Sequence, residues 1–171
     1  MGLDIFIETK NGNHENYYEI SRGFCYQISL LDEPDQSAKY PLEIQQVYTL
    51  YNLEYSILKQ MNTYRFRQQF MSEENVPQEK LDEIQAGLSK AFQPSDQLKN
   101  NLKTLYSRIS ENPNLLNQIQ LNHVWIKKYF DRFHENIGEH LVDRNFGWDL
   151  RGIIHYLEKL PDGTLIRFGY V

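Results

Sequence analysis

Trp148, Arg151, His155 and Glu158 follow one another at spacings of three and four residues, so on a helix they are neighbours on one face. A histidine between a guanidinium and a carboxylate can have its tautomer and pKa set, as proton transfer or anion recognition requires. His155, Arg151 and Glu158 are therefore the candidate site residues. The competing reading is a solvated helix face with an ordinary ion pair. A second polar stretch is FHENIGEH, residues 133 to 140. A zinc-protease helix needs a second histidine four residues after His134, and Gly138 stands there; the inverted spacing fails as well, and Gly138 reads as a helix end with Glu139 and His140 beyond it. His123 and His134 are eleven residues apart, about 16 Å along a helix at a rise of ~1.5 Å per residue, too far to share an ion. Asp131 with His134, and His155 with Glu158, could meet as ligands from two facing helices; the spacings build no local site, and no metal and no cofactor is expected.

Other chemistries lack their signatures. No glycine falls in a GxGxxG or GK[ST] phosphate loop. Cys25 is the single cysteine and has no base beside it in sequence, so it reads as a small apolar core residue. A lone cysteine forms no intrachain disulfide, and MGLDIFIETK lacks the basic start and apolar run of a signal peptide, so a cytoplasmic location is expected. No run approaches the ~18 apolar residues of a membrane span. The net charge of -5 is concentrated before residue 39, where Asp4, Glu8, Glu15, Glu19, Asp32, Glu33 and Asp35 outnumber Lys10 and Arg22. That balance disfavours nucleic acid. TYRFRQQF, residues 63 to 70, interleaves Arg65 and Arg67 with Tyr64, Phe66 and Phe70 as a base-stacking surface would, but two arginines are too few and a plain helix end is preferred.

The elements that would position these residues follow from periodicity. Leu3, Ile5 and Ile7 alternate with Asp4, Phe6 and Glu8 as in a strand with one buried face, and NGN at 11 to 13 ends it. SRGFCYQISLL fits a helix capped by Ser21 and also a strand, since Phe24, Tyr26, Ile28 and Leu30 alternate; the helix is preferred. Between 42 and 61 apolar residues cover two faces of a helix, which predicts a central helix packed on both sides, its tyrosines in the core with their hydroxyls reaching out. Pro77 opens a helix with Leu81, Ile84, Leu88 and Phe92 inward; Ser95 caps the next, with Leu98, Leu102, Leu105 and Ile109 inward, and these two read as a hairpin. A long helix is expected from Pro113 to Ile137, and a last one from about Trp148 to Leu160. PDG at 161 to 163 is a turn into the strand TLIRFGYV.

MGLDIF and SRGFC together resemble the start of a group of small uncharacterised bacterial and phage-borne proteins, over about the first thirty residues. The resemblance implies an accessory protein of bacteria or their mobile elements and assigns no chemistry. A length of 171 residues suits one domain, 1–171. The expected fold is α+β and predominantly α-helical, with five or six helices around the 42–61 helix and a small sheet formed by the N- and C-terminal strands. The expected function is a non-enzymatic interaction protein that binds another protein through its acidic N-terminal region or its tyrosine-rich helices. The alternative is a small hydrolase or metal-dependent enzyme using the cluster around His155.

Overall fold

The computed structural model describes residues 3–12, 17–71 and 75–171. Its backbone is a four-stranded antiparallel sheet packed among eight α-helices, so the fold is α+β and mostly helical as the periodicity predicts. Strand β1 (Ile5–Thr9) pairs antiparallel with β4 (Leu165–Tyr170), from Ile5 opposite Tyr170 to Thr9 opposite Ile166. The two ends of the chain thus satisfy each other's backbone groups. Arg167 and Glu8, both half-buried, add a side-chain ion pair to this register. Two short strands complete the sheet: β2 (Tyr18–Ile20) beside β1 and β3 (Gln93–Pro94) beside β4, in the order β2-β1-β4-β3. Neither was foreseen, because three and two residues are too few to show a period. Of the expected NGN turn, Asn11 takes φ 68° as a turn asparagine can, and Asn13 lies outside the described residues, as do Met1, Gly2 and Glu15 of the readings above.

The buried sheet face, Ile5, Ile7, Ile20, Ile166 and Phe168, meets helix α1 (Arg22–Asp32) through Phe24, whose ring lies edge-on to Phe168 with centroids 5.8 Å apart. The 21–31 segment is therefore the capped helix rather than the strand. Helices α6 (Ser95–Glu111) and α8 (Phe146–Glu158) pack on each other and bury Leu98, Leu102, Leu105 and Ile109 with Leu150, Ile153 and Leu157, all at most 1% exposed. Helix α5 (Gln78–Lys90) turns to α4 (Tyr64–Met71) rather than to α6, so the expected hairpin does not form. Ser95 is the first residue of α6, with Pro94 in the cap position, and its N–H donates to Thr164 O at 2.8 Å.

Two expected helices are corrected. The 42–61 segment is a pair, α2 (Glu43–Leu50) and α3 (Ser56–Met61), broken where Asn52 takes φ 52°. The carbonyls released by the break are met by Arg108, whose Nη1 donates to Tyr51 O at 2.9 Å and Asn52 O at 2.6 Å. The apolar arc was real: Ile44, Val47, Tyr48, Ile57, Leu58 and Met61 are all buried. Tyr48 and Tyr51 are core residues with hydroxyls donating to Asn101 Oδ1 and Asn112 O, both at 2.7 Å. The Pro113 to Ile137 segment is a chain of short turns: 3-10 turns at Pro113–Gln118 and Val124–Ile126, one α-turn α7 (Lys127–Phe130), and a reversal at Arg132 with φ 50°. Its backbone is satisfied from a distance. Gln46 bonds both ways with Gln120, and the buried Glu43 accepts from Asn122 N at 2.8 Å. Asn145 Nδ2 lies within 3.0–3.1 Å of the carbonyls of Asp131, Arg132 and Glu135. Side chains thus take the place of a helical ladder.

Candidate functional site

The sequence SRGFC places Ser21 at the start of α1, where its Oγ accepts from Phe24 N at 3.3 Å. The same Oγ donates to Asp149 Oδ2, and Ser21 N lies 3.3 Å from Asp149 Oδ1. Tyr129 of α7 donates its hydroxyl to Asp149 Oδ2 at 2.8 Å. One carboxyl on α8 therefore pins α1 and α7, and it does so in the dark: Asp149 is 1% exposed and Ser21 fully buried. Burial pushes the Asp149 carboxyl up to about 7, against the opposing pull of Ser21, Tyr129 and the nearby charge of Arg144. The Tyr129 hydroxyl is raised well above its usual range, first by burial and then by Asp149.

Above this network lies a cleft of about 860 Å³. One wall is α1, with Arg22, Cys25 and Tyr26. The other is Trp125 with Lys128 and Tyr129, and the rim from Ile137 to Arg144 closes one end. Gly23 leaves room for the Tyr129 ring: a Cβ there would lie 2.3 Å from Tyr129 Cδ2, far inside contact distance. Trp125 is 55% exposed, edge-on to Tyr26 with centroids 4.8 Å apart, and stacked with His123 at 6.3 Å. Its neighbour Val124 is 87% exposed. Arg144 lies over the Trp148 ring at 4.7 Å and beside the Tyr18 hydroxyl, while its Nε is enclosed and meets no acceptor among the described residues. Arg22 is shared with Asp4 at 3.5 Å; neither Lys128 nor Arg144 forms an ion pair among the described residues, although Glu139 and Asp143 line the same cleft.

The residues singled out by spacing lie together on α8, where Arg151 and Glu158 engage other segments of the chain. Arg151 turns to the backbone, donating to Phe133 O at 2.6 Å, Glu135 O at 3.1 Å and Asn136 Oδ1 at 2.7 Å, where it holds the 133–136 turn against α8. Glu158 bonds Lys103 of α6 at 2.9 Å, and that lysine holds its carboxyl below the usual range. His155 is exposed between them, and Trp148 receives Arg144. FHENIGEH is a turn rather than a helix end: Phe133 is buried, His134 lies edge-on to Phe133 and Tyr106, and Gly138 has φ 121°. Asp131, His134 and Glu135 line a second depression of about 770 Å³, in which Glu135 is paired with Arg132. His123 lies 3.7 Å from Asp35. Among the described residues no group of three or more His, Cys, Asp or Glu is placed to hold a metal ion, and no helix is long and apolar enough to cross a membrane. From Tyr64 onward TYRFRQQF is helix α4, where Arg65 lies over its own neighbour Phe66 at 4.6 Å.

Asp149 carried a signal in the sequence that spacing among polar residues overlooks. It stands three residues after Phe146 and four before Ile153, on the apolar stripe itself, and a carboxylate there needs either a partner or a proton. Trp125 and Arg144 gave no such signal, because only the fold brings them to α1. Searches of protein-family models, curated proteins and solved structures find no match for this chain.

Proposed function

We propose that the protein is a non-enzymatic interaction module that receives an acidic segment of a partner protein in the cleft between α1 and the 125–144 segment. The observation that carries this reading is the meeting of half-exposed Trp125 with Lys128 and Arg144, two cations without an ion pair among the described residues, in a chain of net charge -5. Aromatic anchors and arginine dominate the binding energy of protein interfaces, and the cleft volume is within the range of about 300–1,000 Å³ found for ligand sites. The acidic N-terminal region and the tyrosine-rich helices offer less. The tyrosines of α2 and its following turn are turned into the core, and the acids Asp4 and Glu8 are already paired with Arg22 and Arg167. The segment that carries the resemblance to phage-borne accessory proteins, SRGFC, supplies Arg22, Gly23 and Cys25 to the cleft and Ser21 to the network below it.

The test is fluorescence anisotropy of the intact protein against labelled acidic, neutral and basic peptides of equal length. Acidic peptides should bind most tightly, and Trp125→Ala and Lys128→Glu should each weaken them at least about tenfold. Both side chains are exposed, so the variants should keep the wild-type melting temperature. Equal binding of the three peptide classes, or acidic binding indifferent to both variants, would overturn the reading.

A further inference from the structure

We propose that a second pocket, between the sheet and the helix pair α4 and α5, binds a free medium-chain carboxylic acid, with the chain among its aromatic and aliphatic side chains and the carboxylate on Arg67. The pocket shares no lining residue with the α1 cleft, and neither site depends on the other. The register of the sheet creates it. Ile5, Ile7, Ile166 and Phe168 turn one face to the core, so Phe6, Glu8, Arg167 and Gly169 stand on the other, with Phe6 opposite Gly169 and Glu8 opposite Arg167. The Phe6 ring lies across Gly169, where a Cβ would be 2.6 Å from Phe6 Cζ. Helices α4 and α5 cover this face without closing on it. No residue of α4 is buried and only Ile84 of α5 is, and the space left against the sheet is a pocket of about 310 Å³.

Phe6, Phe66, Phe70, Leu81, Ile84 and Leu88 supply the apolar lining. Phe66 closes against α5, where a Cβ on Gly87 would collide with its ring. Phe70 is 56% exposed and leaves apolar surface in water that an occupant would cover. Three charged side chains line the pocket: Glu8, Arg67 and Arg167. Glu8 and Arg167 neutralise each other in their ion pair, and Arg167 also donates to Leu88 O at 2.8 Å and lies over the Phe92 ring at 4.3 Å. Arg67 is half-buried and forms no ion pair among the described residues, and none of its nitrogens is sealed off as Nε of Arg144 is. The hydroxyls of Thr63 and Tyr170 are engaged with Phe168 O and Asn62 Oδ1. One uncompensated guanidinium therefore stands beside an apolar lining. An amphiphile with one anionic end matches both, and a carboxylate fits the planar donor fork of arginine. Size selects a small molecule, because the volume is at the lower end of the ~300–1,000 Å³ of ligand sites, whereas a partner helix is about 10–12 Å across.

The experiment titrates the intact protein at about pH 7.5, where a carboxylic acid is ionised, with octanoate and with octanol and octyltrimethylammonium as neutral and cationic probes of the same chain. The methyl resonances of Leu81, Ile84 and Leu88 and the Arg67 Nε–H are followed by NMR. Octanoate should move these signals to saturation and bind at least about tenfold more tightly than either other probe. Hexanoate, shorter by two methylenes, should bind roughly tenfold more weakly than octanoate. Arg67→Gln should bring octanoate to the affinity of octanol while leaving octanol unchanged, and Phe70→Ala should weaken both. Both side chains reach solvent, so the variants should keep the wild-type melting temperature. No binding of octanoate, equal binding of the three probes, equal binding of octanoate and hexanoate, or an Arg67→Gln variant that changes octanoate and octanol alike overturns the inference. So does octanoate that moves the Trp125 Nε1–H of the α1 cleft and leaves Leu81, Ile84 and Leu88 unmoved. Should Arg67→Gln fail to fold, the contrast among the three probes on the wild type decides.

Discussion

Replacing Asp149 with Asn removes a carboxyl that the folded protein holds in the wrong protonation state for its surroundings at high pH. The group titrates at about 7 when folded against 3.8 as the ordinary value. Its folded pKa is raised, so between these values the folded protein binds a proton that the unfolded chain releases, and stability falls as pH rises. The contribution is most favourable below the unfolded value, and its loss is complete above the folded one. At about 1.4 kcal/mol per pKa unit, the full loss is on the order of 4 kcal/mol, of which roughly 2–3 kcal/mol falls between pH 5 and 8. The half-buried Asp32 carboxyl, also raised by burial, contributes in the same direction but cancels when wild type and variant are compared. Urea unfolding of both proteins at pH 5, 6, 7 and 8 measures the difference. The variant should be less stable at pH 5, where it lacks the hydrogen bonds of the neutral acid to Ser21 and Tyr129, and should gain on the wild type by roughly 2–3 kcal/mol by pH 8. A stability difference constant across this range, or one that moves in the wild type's favour as pH rises, refutes the reasoning.

Asn145→Ala removes the cap on Trp148 N and the contacts with three carbonyls of the 131–135 turn; a loss of about 2–4 kcal/mol in urea unfolding is expected. Arg151→Ala should cost roughly 1.5–3 kcal/mol through its lost bonds to the 133–136 turn, while His155→Ala should change stability by no more than about 0.5 kcal/mol, and Glu158→Ala should leave the unfolding midpoint within error. The same chemical denaturation series checks all three, and a His155 effect as large as that of Arg151 would show that the cluster is a unit after all. Cys25 is buried and its thiol is pushed up to about 12, mainly by burial; at pH 8 iodoacetamide should label the folded protein at least about a thousandfold more slowly than the urea-unfolded chain, as followed by mass spectrometry.

Alternation of Ile5 and Ile7 announced a strand, the Leu165–Tyr170 pattern announced another, and the unpaired backbone of each announced that they would meet. The stripes of α5, α6 and α8 were likewise legible, since a helix that buries one face must repeat every three or four residues. What periodicity could not see is a break that keeps the apolar count intact. The residues around Asn52 remain apolar and partly buried, so the 42–61 pattern looks continuous although the backbone reverses there. The 113–137 segment lost its expected helix for a related reason: Gln46, Glu43, Asn145 and Arg151, distant in sequence, satisfy its backbone groups and so remove the need for a local ladder. The same limit governs the site. Spacing on one helix selected Arg151, His155 and Glu158, whereas the fold brings Ser21, Tyr129, Arg144 and Asp149 together from four separate segments. A sequence determines by itself which face of each element must leave water, because that depends only on residue type and local period. Which polar group on that buried face finds a partner depends on long-range contacts, and these exist only after the chain has closed on itself.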